Sequence, residues 1–87
     1  MNWQQGQFDW NHARAFMVVA DEGSLSAAGR VMGVSQPTLG RQISQFESAL
    51  NLTLFERVGK GLVLTQSGLR LYEYVKQMSE AAEQFSL

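Results

Sequence analysis

The segment Ser35–Leu50 constrains the fold of this chain more than any other. Its apolar residues Leu39, Ile43, Phe46 and Leu50 recur at i, i+4, i+7 and i+11, a single narrow stripe on an α-helix. The opposite side reads Pro37, Thr38, Arg41, Ser44, Gln45 and Ser48, with no acid among them. Proline suits a first helical turn, where the N–H it lacks would have no intrahelical partner. Ser35, two residues earlier, is placed to cap the helix. Such a helix must bury its stripe against other elements. Its polar face is then either solvated or set against something polar.

The chain ahead of this helix supplies what it packs on. Asp9 is an N-cap for a first helix over Trp10–Ala20, with Ala13, Phe16, Met17 and Ala20 as inner face, widened by Val19. Trp10 reads as an anchor at the core edge, and Gly23 stops the helix. Trp3 sits in a loose lead-in, either covering apolar surface or unstructured. Ser24 caps a short second helix, Leu25 to Met32, whose Ala27-Ala28-Gly29 centre permits close approach. Gly33 then ends it in the left-handed conformation. Helix, a glycine-containing turn of three or four residues, and helix form a helix-turn-helix.

Beyond Leu50 the pattern changes. Asn51 tolerates left-handed geometry and closes the third helix. Leu52–Arg57 and Leu62–Leu64 are short extended runs joined by Val58-Gly59-Lys60-Gly61, a β-hairpin that must lean on the helices. Thr65 caps a final helix. In it Leu71, Val75, Met78, Ala82 and Phe85 are spaced 4, 3, 4, 3, a heptad seam, while Leu69, Tyr72 and the stem of Lys76 can pack back on the domain. Two apolar faces on one helix require a partner for one of them, and the same helix of a second copy fits. The expected architecture is mainly α: a three-helix core with a two-stranded β wing over residues 1–65, then a dimerisation or linker helix over 66–87. The two form one structural unit.

Charge bears on function only weakly. The 87 residues carry a net −1, whereas a nucleic-acid binder is expected to be basic. The balance is uneven, however: −2 over residues 1–29, +2 over 30–65 (Arg30, Arg41, Arg57 and Lys60 against Glu47 and Glu56), and −1 over 66–87. The positive part coincides with the polar helix. With no cysteine and a single histidine, His12, there is no thiolate site and no second ligand for a metal. No apolar run approaches a membrane span, and the start Met1-Asn2-Trp3-Gln4-Gln5 lacks the basic region of a signal peptide. Nothing resembles a nucleophile with its base, a paired acid site or a phosphate loop, so an enzyme is not expected.

The combined string closely resembles one family. Gly23-Ser24-Leu25-Ser26-Ala27-Ala28, Val34-Ser35-Gln36-Pro37-Thr38-Leu39-Gly40-Arg41-Gln42-Ile43, Glu47, Leu50-Asn51-Leu52-Thr53-Leu54-Phe55-Glu56-Arg57 and Leu64-Thr65-Gln66-Ser67-Gly68 are similar to the N-terminal domain of LysR-type transcriptional regulators. The resemblance covers roughly residues 10–85. It implies a winged helix-turn-helix that binds double-stranded promoter DNA as a homodimer through the final helix, and leaves a tetramer open for the full-length regulator. It also implies a bacterial, cytoplasmic, nucleoid-associated setting. The effector-sensing domain would lie outside this chain, so no small-molecule effector site and no cofactor are expected here.

The resemblance also assigns roles. The helix 35–50 enters the major groove and the wing 57–62 meets the adjacent phosphates or minor groove. Gln36 can pair with adenine and Arg41 with guanine, or either can bind phosphate. Pro37 and Thr38 can contact a thymine methyl, Thr38 also through its hydroxyl, and Gln45 lies on the same face. Ser35 and the helix N-terminus favour a phosphate. Lys60 is the wing-tip contact. Arg57 is either a backbone contact or an internal ion pair. Thr65 caps a helix whose exposed N–H groups can hold phosphate, and Arg30 is either a phosphate contact or a solvated residue. The chain departs from the usual family residues at Gly29, Phe46 and Asn51. It also departs at Gly40, where a side-chain hydroxyl is usual. The alternative is a winged-helix protein-interaction module without DNA binding.

Overall fold

The computed structural model describes residues 8–86, so Trp3 lies outside it. The order is α1 (Trp10–Glu22), α2 (Leu25–Met32), α3 (Gln36–Leu50), β1 (Phe55–Val58), β2 (Gly61–Leu64) and α4 (Gln66–Ser86). Each helix begins on a side-chain cap. Asp9 accepts from the Asn11 N–H at 2.8 Å, Ser24 from Ala27 at 3.1 Å, Ser35 from Thr38 at 3.3 Å, and Thr65 from Gly68 at 3.0 Å. The first three helices end on Gly23, Gly33 and Asn51, all left-handed. The cap and stop residues expected from the sequence are the ones used.

Phe16 and Val19 of α1, Leu39 and Phe46 of α3, Leu54, and Val75 of α4 are the largest side chains fully removed from solvent. Phe16 lies between Phe46 and Phe55, with ring centroids 5.9 and 5.5 Å away. Ala15 is buried as well, beyond the inner face expected for α1. Trp10 keeps 37% of its surface exposed, consistent with the core edge. His12 is half-buried, edge-on to Phe46 at 6.0 Å.

The hairpin is shorter at its start than expected. Leu52–Leu54 are not strand, because their amides are used elsewhere. The Leu52 N–H donates to the Glu47 carbonyl at 3.1 Å and the Leu54 N–H to the Glu47 carboxylate at 2.7 Å. Pairing then runs antiparallel from Phe55↔Leu64 to Val58↔Gly61, leaving the two-residue loop Gly59-Lys60. Gly59 has φ +59° and Lys60 does not share that sign, as a Gly-first hairpin turn requires.

The faces of α4 also differ from the heptad expectation. Val75 is fully buried in the domain's own core and Leu71 packs against it, so neither belongs to a free seam. Leu69, expected to pack inward, is 57% exposed. The cause is Gly68. A Cβ there would lie 2.2 Å from the Leu54 carbonyl oxygen, so the helix rests on that backbone through its bare glycine. That contact sets the rotation of α4 and turns Gly68, Leu71, Tyr72 and Val75 (i, i+3, i+4, i+7) inward. Met78 and Phe85 remain on the outside.

The Asp21 carboxylate accepts a hydrogen bond from the Tyr72 hydroxyl, joining the end of α1 to α4. This hydrogen bond, then burial, then the charges of Asp21 and Glu73 push the Tyr72 hydroxyl up from 10.0 to about 12. A tyrosine whose folded pKa is raised contributes stability that is complete below its unfolded value and lost as pH rises through its folded one. Tyr72→Phe is therefore expected to lower stability by about 1 kcal/mol near neutral pH. The deficit should close as pH rises from 10.0 to about 12. Thermal melts of both proteins across that range check it; a deficit that persists at the upper end contradicts the linkage.

Candidate nucleic-acid interface

One side of α3 is left open to solvent. Ser35, Gln36, Pro37, Arg41, Ser44, Gln45 and Ser48 are exposed and Thr38 half-buried, while Leu39, Ile43 and Phe46 are buried on the other side. The first turn of α3 holds no acid, so the positive end of the helix dipole is uncompensated there. The six α3-side residues expected to read a partner, Ser35, Gln36, Pro37, Thr38, Arg41 and Gln45, thus share one surface. Three of them are also connected. The Ser35 hydroxyl donates to Thr38 Oγ1 at 2.8 Å, and Arg41 Nη2 donates to the same oxygen at 3.4 Å.

The remaining candidates lie around this helix. In the hairpin register Arg57 pairs with Leu62, and both line a groove of about 210 Å³ with Leu25, Gly40, Ser44 and Glu47. Arg57 thus borders the open side of α3 across the space beside Gly40. Gly40 is half-buried and faces Leu25, where an added Cβ would sit 3.5 Å from Leu25 Cδ1, an ordinary contact. Lys60 is exposed at the tip of the hairpin. Arg30 is exposed on α2, its Nη1 donating to Ser26 Oγ at 2.9 Å on the same helix. Thr65 has its hydroxyl fully engaged, donating to the Thr53 carbonyl at 2.6 Å while accepting from Gly68. The Thr65 hydroxyl therefore has no proton left to donate to a phosphate.

Two contacts hold the hairpin against the helices. The Leu62 N–H donates to the Gly23 carbonyl at 2.8 Å, which pins β2 to the turn between α1 and α2. Glu47, part-buried on α3, accepts from the amides of Leu54 at 2.7 Å and Phe55 at 3.4 Å. Glu47 is not among the functional residues expected from the sequence. Its signal was available: an acid on an otherwise acid-free helix, four residues ahead of a left-handed Asn51 that turns the chain back beneath it. Among the described residues no buried side-chain polar atom is left without a partner, and no acid–histidine cluster could hold a metal ion. No described helix is long and apolar enough to cross a membrane.

Residues 10–69 match the family described as bacterial regulatory helix-turn-helix protein, lysR family. The chain belongs to the LysR family. It is 42% identical over 66 residues, 76% of its length, to the transcriptional activator LysR of Escherichia coli K12. It is 36% identical over 75 residues, 86% of its length, to the transcriptional regulator ClcR of Pseudomonas putida. It spans about a quarter of these relatives, 21% of LysR and 26% of ClcR. The DNA-binding domain of CbnR, solved in complex with DNA, superposes with a TM-score of 0.83 at 30% identity over 91% of both chains. The corresponding BenM domain, solved with a benA site, gives 0.85 at 29% identity over 91% of this chain and 92% of that one. The winged helix-turn-helix architecture expected from the sequence is the one this LysR-family chain adopts.

Glu47→Ala removes a charged acceptor and strands the Leu54 amide. It is expected to cost about 1.5–3 kcal/mol and to speed amide exchange at Leu54 ahead of β1. Urea titration and hydrogen exchange read the two effects. An unchanged midpoint with unchanged exchange would show that the carboxylate does not hold the wing.

Proposed function

We propose that this LysR-family domain binds double-stranded promoter DNA sequence-specifically to regulate transcription, in the bacterial cytoplasm. The observation that carries the reading is the acid-free open face of α3, with Arg57 beside it and Lys60 exposed at the wing tip. Helix α3 enters the major groove with its N-terminal residues foremost, and the wing lies over the adjacent phosphates or minor groove. Gln36 and Arg41 present the donors suited to base edges, Pro37 an apolar surface for a thymine methyl, and Ser35 with the first-turn amides a seat for phosphate. Gln45 continues the same face. Arg30, Arg57 and Lys60 supply charge, and the amides beside Thr65 offer a further backbone contact. The DNA complexes of the CbnR and BenM domains support this reading.

The domain acts as a homodimer through α4. With Val75 and Leu71 taken into the core, the surface for the second copy comprises Met78, Ala82 and Phe85, with Tyr74 alongside; Phe85 is 94% exposed. Ala82 also borders a groove of about 530 Å³ between α4 and α1, floored by Trp10, Met17 and Val18. An apolar helix end beside an open apolar groove suits a two-fold contact in which each copy fills the other's groove.

Two experiments test these readings. Arg41→Ala is expected to relax base preference by about tenfold or more at one position. Lys60→Ala is expected to weaken all sequences alike and flatten the salt slope by about one unit. Anisotropy titrations over a range of salt, using duplexes selected from a random pool by the domain, read both. Binding unaffected by either change, or independent of salt, would favour a protein-docking winged helix instead. Separately, sedimentation should give twice the chain mass for the wild type and a monomer for Met78→Lys/Phe85→Lys. A wild-type monomer at high concentration would exclude the α4 dimer.

A further inference from the structure

The hydroxyl pair at the start of α3 does more than cap a helix. Ser35 Oγ accepts the Thr38 N–H at 3.3 Å, which is the cap itself, and spends its only proton on Thr38 Oγ1 at 2.8 Å. Thr38 Oγ1 then receives a second donor, Arg41 Nη2, at 3.4 Å. Both lone pairs of the Thr38 oxygen are thereby filled, and its own proton is the one hydroxyl hydrogen of the pair left to offer. Arg41 is otherwise an exposed side chain with several rotatable bonds, and Thr38, three residues back on the same face, gives it a fixed point.

We infer that Thr38 is a positioning residue for base recognition: it orients the Arg41 guanidinium so that Arg41 reads guanine. This rests on the DNA-binding reading above. The chemistry follows from the direction of the hydrogen bonds. Arg41 donates to Thr38 and keeps only donors free for a base, since a guanidinium has no acceptor. Guanine presents two acceptors, O6 and N7, in the major groove. Adenine presents an acceptor beside an amino donor that would meet a donor. A guanidinium already held by Thr38 also loses less side-chain freedom on binding than an unrestrained one, so Thr38 raises discrimination without touching the base.

The test compares Thr38→Val, which keeps the β-branched shape and removes the hydroxyl, with Thr38→Ser, which keeps the hydroxyl. The whole 87-residue chain is used with duplexes enriched by the wild type from a randomised pool. The base pair read by Arg41 is the one whose preference Arg41→Ala abolishes. At that pair the wild type should prefer guanine, and Thr38→Val should cut the preference by about tenfold, within the range one bidentate contact supplies. Thr38→Ser should retain it, and the salt slope should stay unchanged in both. Circular dichroism melts establish that both variants fold, since the Ser35 cap to the Thr38 amide is intact in each.

Three results overturn the inference alone: a guanine preference that survives Thr38→Val, a Thr38→Val loss spread equally over all sequences, or an Arg41→Ala protein that keeps every base preference. A wild-type domain that enriches no sequence overturns the DNA-binding reading itself.

Discussion

The carboxylate of Glu47 is the contact on which the arrangement of helix and wing depends. It sits on the inward-leaning flank of α3 and takes the amides of Leu54 and Phe55, the residues at which the chain turns into β1. A two-stranded hairpin has little stability of its own. Here its first strand is tied to α3 through Glu47 and its second to the α1–α2 turn through the Gly23 carbonyl. The wing is therefore joined to the helices at two points, and the spacing between Arg57 and the open face of α3 is set by the Glu47 carboxylate together with the Leu62–Gly23 backbone hydrogen bond.

The rest of the core follows from close backbone approach. Gly68 lies on the carbonyl of Leu54, the same residue whose N–H Glu47 holds. One short segment, Leu52–Leu54, thus serves the end of α3, the start of β1 and the seat of α4. Leu54 itself is fully buried, and its carbonyl also accepts the Thr65 N–H. The segment contributes no regular secondary structure, yet three elements take their positions from it.

The low net charge of the chain is compatible with a nucleic-acid role because none of its eight acids lies on the open face of α3, though Glu56 stands on β1. Asp21 is spent on Tyr72 and Glu47 on the wing amides, and the open face of α3 carries none. What matters for a phosphate-lined partner is the sign of the facing surface, within a Debye length of it, and not the sum over the molecule.

Local chemistry in the sequence determined the four helices, their caps at Asp9, Ser24, Ser35 and Thr65, their left-handed stops, the hairpin tip and the two faces of α3. Each of these depends on residues within a few positions of one another, so spacing alone reveals it. Only the tertiary structure decided which way α4 faces. A heptad written in sequence cannot tell a seam for a second chain from a seam for its own core, and Val75 went to the core because Gly68 allowed α4 to rest on Leu54. The same holds for the roles of Glu47 and Asp21. Their partners, Leu54 and Tyr72, are seven and 51 residues away, and an acid shows its hydrogen-bond partner only when the chain has brought it there. The polar face of α3 was legible from the outset. What holds it beside the wing was not.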